Sequence, residues 1–202
     1  MKILLVATVQ SHICQFHRPL VAMLHEHGCE VHVAARNNLA EKNGLKLDFV
    51  EQVFDVPFQR SPFSPKNLGA YKQLKKIIDE GGYDVVHCNT PVGGVVGRLA
   101  ARKARKRGTK VFYTAHGFHF YKGAPKKNWL IWYPVEKFMC RHTDKLITIT
   151  QEDYGLASVK FPTRVERIHG VGANSAKYRK LSEAECAALR CCLLYTSPSP
   201  RD

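Results

Sequence analysis

Apolar residues in this chain fall into short unbroken runs that alternate with segments of helical spacing. Residues 2–8 form a continuous apolar run after Lys2, the pattern of a strand buried on both faces. Phe16, Leu20, Met23 and Leu24 then recur at helical spacing and predict a helix over 16–27, ended by Gly28. Second and third strands are predicted over 30–35 and 49–56, with a polar stretch over 36–46 between them. Residues 57–65 carry three prolines and read as a loop. A helix over 67–80 places Leu68, Tyr71, Leu74, Ile77 and Ile78 on one side and stops at Gly81-Gly82.

The alternation continues. Strands are predicted over 84–88, 110–115, 145–150 and 164–169, with helices over 98–107, 128–141 and 152–159 between them. Pro134 should kink or restart the second of these helices. Ser182 caps a further helix over 182–189, with Glu183 and Glu185 in its first turn. Strand and helix taking turns favours an α/β fold: a Rossmann-like, doubly wound, mainly parallel sheet.

Composition narrows the partners. With 202 residues and 45% hydrophobic content, the chain can bury one good core. Lys and Arg number 31 against 17 Asp and Glu, a net charge of +14 that admits nucleic acid, anionic lipid or a phosphorylated small molecule. Much of the excess sits in 98–107, where Leu99, Ala100 and Ala104 read as a buried face behind a solvated basic side. That run lacks the interleaved aromatic residues of a single-strand platform, so nucleic acid is the less favoured partner. The segment Lys126-Lys127-Asn128-Trp129-Leu130-Ile131-Trp132-Tyr133 reads either as a patch for an anionic membrane surface or as an aromatic core helix. Seven cysteines show no CxxC pair and read as reduced cytosolic thiols. The opening apolar run is too short for a signal segment, and no run approaches the ~20 residues that span a bilayer.

Candidate chemistry gathers at the strand ends, because an open α/β sheet binds ligands beyond its carboxyl edge. His116 lies where the strand ending at Ala115 runs into Gly117. Three other loops could share that edge: Thr8 to His12, His87 to Pro91, and Thr148 to Glu152 with Thr150. Gly93, Gly94 and Gly97 open the helix after the fourth strand; either they expose amides to a phosphate or they serve close helix packing. Neither GxGxxG nor GxxxxGK[ST] occurs, which disfavours nicotinamide dehydrogenases and P-loop kinases. His116 and His119, beside His87, His12 and His17, lack a carboxylate or second ligand pair at metal spacing, so no metal is expected. Cys88 reads as an apolar filler rather than a nucleophile.

Taken together, Asp84-Val85-Val86-His87-Cys88-Asn89-Thr90-Pro91, Thr114-Ala115-His116-Gly117-Phe118, Leu146-Ile147-Thr148-Ile149-Thr150 and Val171-Gly172-Ala173-Asn174 with Lys177-Tyr178 resemble glycosyltransferase family 4 in order and spacing. The likeness covers residues 1–190 and is to the amino-terminal domain of bacterial enzymes that build capsular and exopolysaccharide glycans. It implies the amino-terminal half of a GT-B fold, whose acceptor-side domain faces a second domain that grips a nucleotide sugar, often UDP-linked. It also implies retaining, metal-independent transfer to a glycan or lipid-linked acceptor, with no cofactor beyond the sugar donor. His116 matches the family's active-site histidine, and Ser11 and His12 fall in the loop bordering donor phosphates and acceptor. Asn89, Thr90, Gly93, Gly94, Gly117 and Thr150 complete the expected substrate-binding set.

Two departures stand out. Asn89 occupies a position where many relatives carry a second histidine, and Ala173-Asn174-Ser175 replaces an apolar-Asp-Thr step. The family's paired donor-binding carboxylates belong to the second domain, so the fragment alone is expected to be inactive. The expected organisation is a Rossmann-like acceptor domain over 1–170, then an interdomain linker and the start of a truncated donor domain over 171–191. Residues 192–202 resemble the translation of a transposase-type sequencing adaptor, and the natural protein is expected to continue past Arg190. The expected location is cytoplasmic, at the inner face of the membrane.

Overall fold

The computed structural model describes residues 1–42, 44–62, 64–170, 182–186 and 188–189. Two compact units are present, Met1–Val171 and Gly172–Asp202. Among the described residues, the first contains seven strands: β1 (Lys2–Val9), β2 (Glu30–Arg36), β3 (Gln52–Asp55), β4 (Val85–Asn89), β5 (Lys110–Ala115), β6 (Lys145–Thr148) and β7 (Arg164–Arg167). They form one sheet in the order β3-β2-β1-β4-β5-β6-β7, and every pairing is parallel. The doubly wound sheet expected from the alternation is thus present, with all seven predicted strands.

Among the described residues seven α-helices connect them: α1 (Gln10–Phe16), α2 (Arg18–Glu26), α3 (Asn67–Gly81), α4 (Pro91–Ala100), α5 (Arg102–Lys106), α6 (Lys126–Met139) and α7 (Gln151–Lys160). The central strand shows why the apolar runs are unbroken. Leu4 and Val6 point into a core shared with α3, α4, α5 and α7, through residues such as Leu74, Val96, Ala104 and Ala157. Ile3, Leu5 and Ala7 point to the other face, against Ile13 of α1 and Val21 of α2. Side chains alternate across a strand, so covering both faces requires apolar residues at every position.

Several boundaries differ from those the pattern predicts. The helix expected over 16–27 is two helices, with the first beginning directly after β1. Pro19, near the start of α2, lacks the N–H that would bond into the preceding turn, and the chain breaks at His17 (φ −114°, ψ −1°). Strand β3 is shorter than 49–56; it lies at the sheet edge, with Val53 37% exposed, where one side lacks a pairing partner. Leu68, expected on the buried side of α3, is exposed, because Ala70, Leu74 and Ile78 form that face. Helix α6 runs through Pro134, which lies on its solvent side. Arg98, expected on a solvated basic face, is fully buried, and the chain breaks at Ala101 into α4 and α5.

In the second unit, Ser182 Oγ accepts from the Glu185 N–H at 3.3 Å while the Glu185 carboxylate accepts from the Ser182 N–H at 2.9 Å, a reciprocal cap at the predicted helix start. Of the expected linker and donor-domain start over 171–191, residues 171–181, 187 and 190–191 lie outside the described residues, as does the adaptor-like tail over 192–202.

Candidate functional site

The sheet changes winding direction between β1 and β4, the adjacent strands from which α1 and α4 depart. Such a switch point opens a crevice at the carboxyl edge. Three elements deliver histidines to it. His12 lies on α1, His17 occupies the break between α1 and α2, and His116 follows the last residue of β5. Each offers a ring nitrogen, and the three nitrogens lie within 4.8 Å of one another. The rings of His12 and His116 meet edge to face at 4.8 Å between centroids, and His17 lies 5.3 Å from His12 and 6.1 Å from His116. Phe16 packs against His12 at 5.0 Å.

These rings are held neutral near pH 7. Burial, followed by the neighbouring His116 and His17, lowers His12 to about 3. Burial and then His17 lower His116 to about 4. His17 is also lowered by burial, opposed by its bond to Asn89. Behind them on β4, His87 is lowered to about 3, again chiefly by burial, while its Nε2 bonds the Thr114 hydroxyl at 2.8 Å.

Asn89 fixes the orientation of His17. Its Nδ2 donates to the His87 carbonyl at 3.3 Å, which turns Oδ1 toward His17 Nε2 at 3.0 Å. His17 then carries its proton on Nε2, leaving a lone pair on Nδ1. The His12 backbone also favours the protonated His17 ring, less than Asn89 does, yet no hydrogen bond of good geometry reaches Nδ1. His12 Nε2 and His116 Nε2 are likewise buried without partners. Buried polar atoms are seldom left so, and three in one cluster point to an external ligand.

The remaining expected site residues separate into two groups. Thr90 stands at the crevice with φ 62° and ψ 153°, the positive-φ residue other than glycine among the described residues. Its hydroxyl accepts from the Thr8 N–H at 3.0 Å and meets the Thr8 hydroxyl at 2.7 Å. Gly117 adopts φ 133°, a backbone that lets the chain turn directly after His116. Other residues serve the scaffold. Ser11 is buried and pairs reciprocally with Asn38, its N–H donating at 3.0 Å and its hydroxyl accepting at 2.9 Å. The Gly93 N–H donates to the Thr8 hydroxyl at 3.3 Å and the Gly94 N–H to the Thr90 carbonyl at 2.7 Å, so neither amide is free for an anion. A methyl on Gly94 would meet the Tyr113 ring at 2.5 Å, and one on Gly97 the Cys88 sulfur at 2.6 Å, which marks close helix packing. The Thr150 hydroxyl caps α7, accepting from the Asp153 N–H at 3.1 Å.

Sequence reasoning misses three contributors. His17 stands among the histidines of the pattern but outside the expected substrate set, because the break near Pro19 that turns it inward carries no local signal beyond the proline itself. Arg60 and Trp132 line a cleft of about 300 Å³ together with Thr8, Pro91 and His119. His119 stacks on Trp132 at 5.0 Å and is not among the three clustered histidines. Aromatic walls beside a cationic side chain suit a sugar ring carrying, or standing near, a negative charge. A neutral His116 can orient a hydroxyl or take its proton, but it offers no fixed positive charge to a diphosphate.

Comparison with known proteins identifies the family and the fold. Residues 2–150 match the family described as glycosyl transferase 4-like. "Putative glycosyltransferase EpsD" of Bacillus subtilis is 53% identical over 191 residues, which are 94% of this chain and 49% of that protein. The UDP-Gal:alpha-D-GlcNAc-diphosphoundecaprenol alpha-1,3-galactosyltransferase of Escherichia coli is 30% identical over 121 residues, 58% of this chain and 31% of that one. The chain therefore spans about half the length, or less, of these curated relatives. Among solved structures, Anabaena Alr3699/HepE in complex with UDP and glucose superposes with a TM-score of 0.61 at 20% identity, covering 96% of this chain and 50% of that one. TcCGT1 in complex with UDP gives 0.55 at 12% identity, covering 98% and 55%. With a Rossmann-like sheet, a histidine cluster at its switch point and a family match across most of the sheet, this chain belongs to the glycosyl transferase 4-like family.

Proposed function

We propose that this chain is the acceptor-side domain of a retaining, metal-independent glycosyltransferase that moves a sugar from a UDP-linked donor to a glycan or lipid-linked acceptor in surface polysaccharide synthesis. The observation that carries the reading is His116, a neutral imidazole with an unpartnered buried Nε2 at the sheet's switch point. Positioned there, it can hydrogen-bond a hydroxyl of the donor sugar or acceptor as charge develops at the reacting carbon. Gly117 turns the chain directly after it, Thr8 and Thr90 tie the ends of β1 and β4 together, and Asn89 acts through His17. Neutralising the leaving diphosphate requires positive or hydrogen-bonding groups beyond those of this chain, so activity requires a donor domain.

A lipid-linked acceptor calls for a membrane-facing surface, and α6 offers one. Lys127, Leu130, Ile131, Pro134, Lys137 and Phe138 are exposed at helical spacing, with Leu130 80%, Ile131 42% and Phe138 50% exposed. Apolar side chains flanked by lysines suit attachment at the interface of an anionic bilayer, on its inner surface. Among the described residues no helix is long and apolar enough to cross a membrane.

The test is transfer by a full-length enzyme containing this chain and a donor domain, assayed with UDP-sugars and a polyprenyl-diphosphate-linked sugar in the presence of a chelator. Product formation with the anomeric configuration retained supports the reading. Inversion, a strict requirement for added divalent ion, or turnover by the 202-residue chain alone overturns the corresponding part.

A further inference from the structure

The three histidines at the switch point have a second use that does not depend on sugar transfer. We propose that His12, His17 and His116 form a zinc site with an open fourth position, occupied by water or an anion, and that zinc there withdraws His116 from its role in transfer. The inhibitory consequence rests on the proposed function; the metal site itself does not.

Two independent observations support the site. First, three ring nitrogens from different parts of the backbone converge within 4.8 Å of one another. Zinc–nitrogen bonds of about 2.0 to 2.1 Å would set ligand nitrogens roughly 3.3 Å apart in a tetrahedron, so the rings must close by about 1.5 Å. His12 and His116 are only partly buried, which leaves them room to do so. Second, His12 Nε2, His17 Nδ1 and His116 Nε2 are all buried without hydrogen-bond partners. Edge-to-face packing alone would satisfy the rings' carbon atoms but not these nitrogens.

The surroundings supply what a metal-binding imidazole needs. The Asn89 carbonyl oxygen accepts from His17 Nε2 and presents Nδ1 with its lone pair, the outer-shell arrangement that fixes a ligating histidine. Burial keeps the rings unprotonated near neutral pH, the state in which they can coordinate. Three imidazoles without thiolate suit zinc among the common borderline ions, and three protein ligands leave the fourth site accessible. Among the described residues no carboxylate joins the cluster, so the bound ion keeps its full charge and attracts an anion such as a diphosphate.

The experiment uses the whole 202-residue chain carrying C186S, C191S and C192S, which removes thiols near the carboxyl end that could capture zinc on their own. Zinc is titrated in competition with a chromophoric chelator, and unfolding temperature is recorded with and without zinc. One equivalent should bind and raise the unfolding temperature. H12Q and H116Q should each weaken binding at least tenfold and abolish the thermal shift, while H25A/H27A, changed at exposed histidines, binds as the parent does. Cobalt substitution should give a tetrahedral d–d spectrum without a thiolate charge-transfer band. Binding by H12Q and H116Q equal to the parent's, loss of zinc binding in H25A/H27A alone, or absence of stoichiometric binding by the parent chain overturns the site. Because no sugar donor is present, such a failure leaves the transferase reading untouched. Zinc binding that fails to inhibit an active full-length enzyme refutes only the inhibitory consequence.

Discussion

The Arg98 guanidinium donates from Nη2 to the Glu136 carboxylate at 2.8 Å, with Arg98 wholly shielded from solvent and Glu136 nearly so. Its Nε donates to the Gly94 carbonyl at 2.9 Å, and its plane lies 3.9 Å over the Tyr113 ring. This pair joins α4 to α6. Removing one partner strands the other charge in the core, so Glu136→Ala should destabilise the chain by about 3 to 5 kcal/mol. Replacing both, as Arg98→Met with Glu136→Leu, should cost much less. Urea midpoints of the parent and the two variants check this; a cost for Glu136→Ala below about 1 kcal/mol, the range of a surface pair, contradicts it.

Two glycines on helices should respond in opposite ways to alanine. At Gly69 of α3 an added methyl would meet nothing within 4 Å, so Gly69→Ala should stabilise by up to about 1 kcal/mol through helix propensity. At Gly94 the same methyl meets the Tyr113 ring, which Arg98 holds in place. Overpacking of about 1 to 3 kcal/mol should outweigh the propensity gain, and Gly94→Ala should lower the unfolding temperature.

Asp144 gives a pH signature with a definite sign. Burial raises its pKa, but the Arg105 hydrogen bonds at 2.9 and 3.0 Å and the Val111 N–H at 2.8 Å outweigh it, and the carboxyl is held below its ordinary 3.8. A depressed folded-state pKa contributes stability above the unfolded value, lost as pH falls through the folded value. Asp144→Asn should therefore be less stable than the parent at pH 7, and the gap should close as pH falls below 3.8. Chemical denaturation of both proteins across that window reads the difference; a gap that widens on acidification is the contrary result.

In a full-length enzyme, His116→Ala should depress turnover by roughly ten- to a thousandfold with the fold intact, the range for losing one oriented polar group at a transition state. His119→Ala should lower turnover at saturating substrate much less, since that ring stacks on Trp132 in the cleft wall and is not one of the three clustered histidines. Saturating-substrate kinetics with circular dichroism on both variants decide it, and equal turnover by His116→Ala and parent removes His116 from the chemistry.

Attachment to membranes should depend on α6. Leu130→Ser with Ile131→Ser and Phe138→Ser should reduce co-sedimentation with anionic vesicles, and high salt should weaken what remains. Binding to neutral vesicles as strong as to anionic ones would remove the electrostatic contribution.

The sheet is legible in the sequence because both faces of its central strands are covered, so local apolar runs carry the information. All seven strands lie where those runs predict them, while edge strand β3 is shorter and the helices expected over 16–27 and 98–107 begin about a turn and a half to two turns earlier and are each broken in two. Arg98 is misread because its partner Glu136 lies 38 residues away, and nothing local distinguishes a buried arginine from its solvated neighbours. Of the site, His116 is visible from its place after a strand and before a glycine. His17 is not, since its orientation depends on the chain break near Pro19. The glycine cluster at 93–97 admits two readings, and hydrogen bonds to Thr8 and Thr90, along with the approach of Tyr113, are tertiary facts that spacing does not contain.

The pairing of β1 with β4 sets an order of assembly. Ile3 to Val6 lie beside Val85 to Cys88, so the first strand made must keep one hydrogen-bonding edge unpaired until the chain has been synthesised past Cys88. Closing that loop instead of the shorter one to β2 costs only about 1 kcal/mol more in chain entropy, so emergence from the ribosome, more than loop length, delays it. Until β4 arrives, the unpaired N–H and C=O groups along that side of β1 are a template for pairing with other chains.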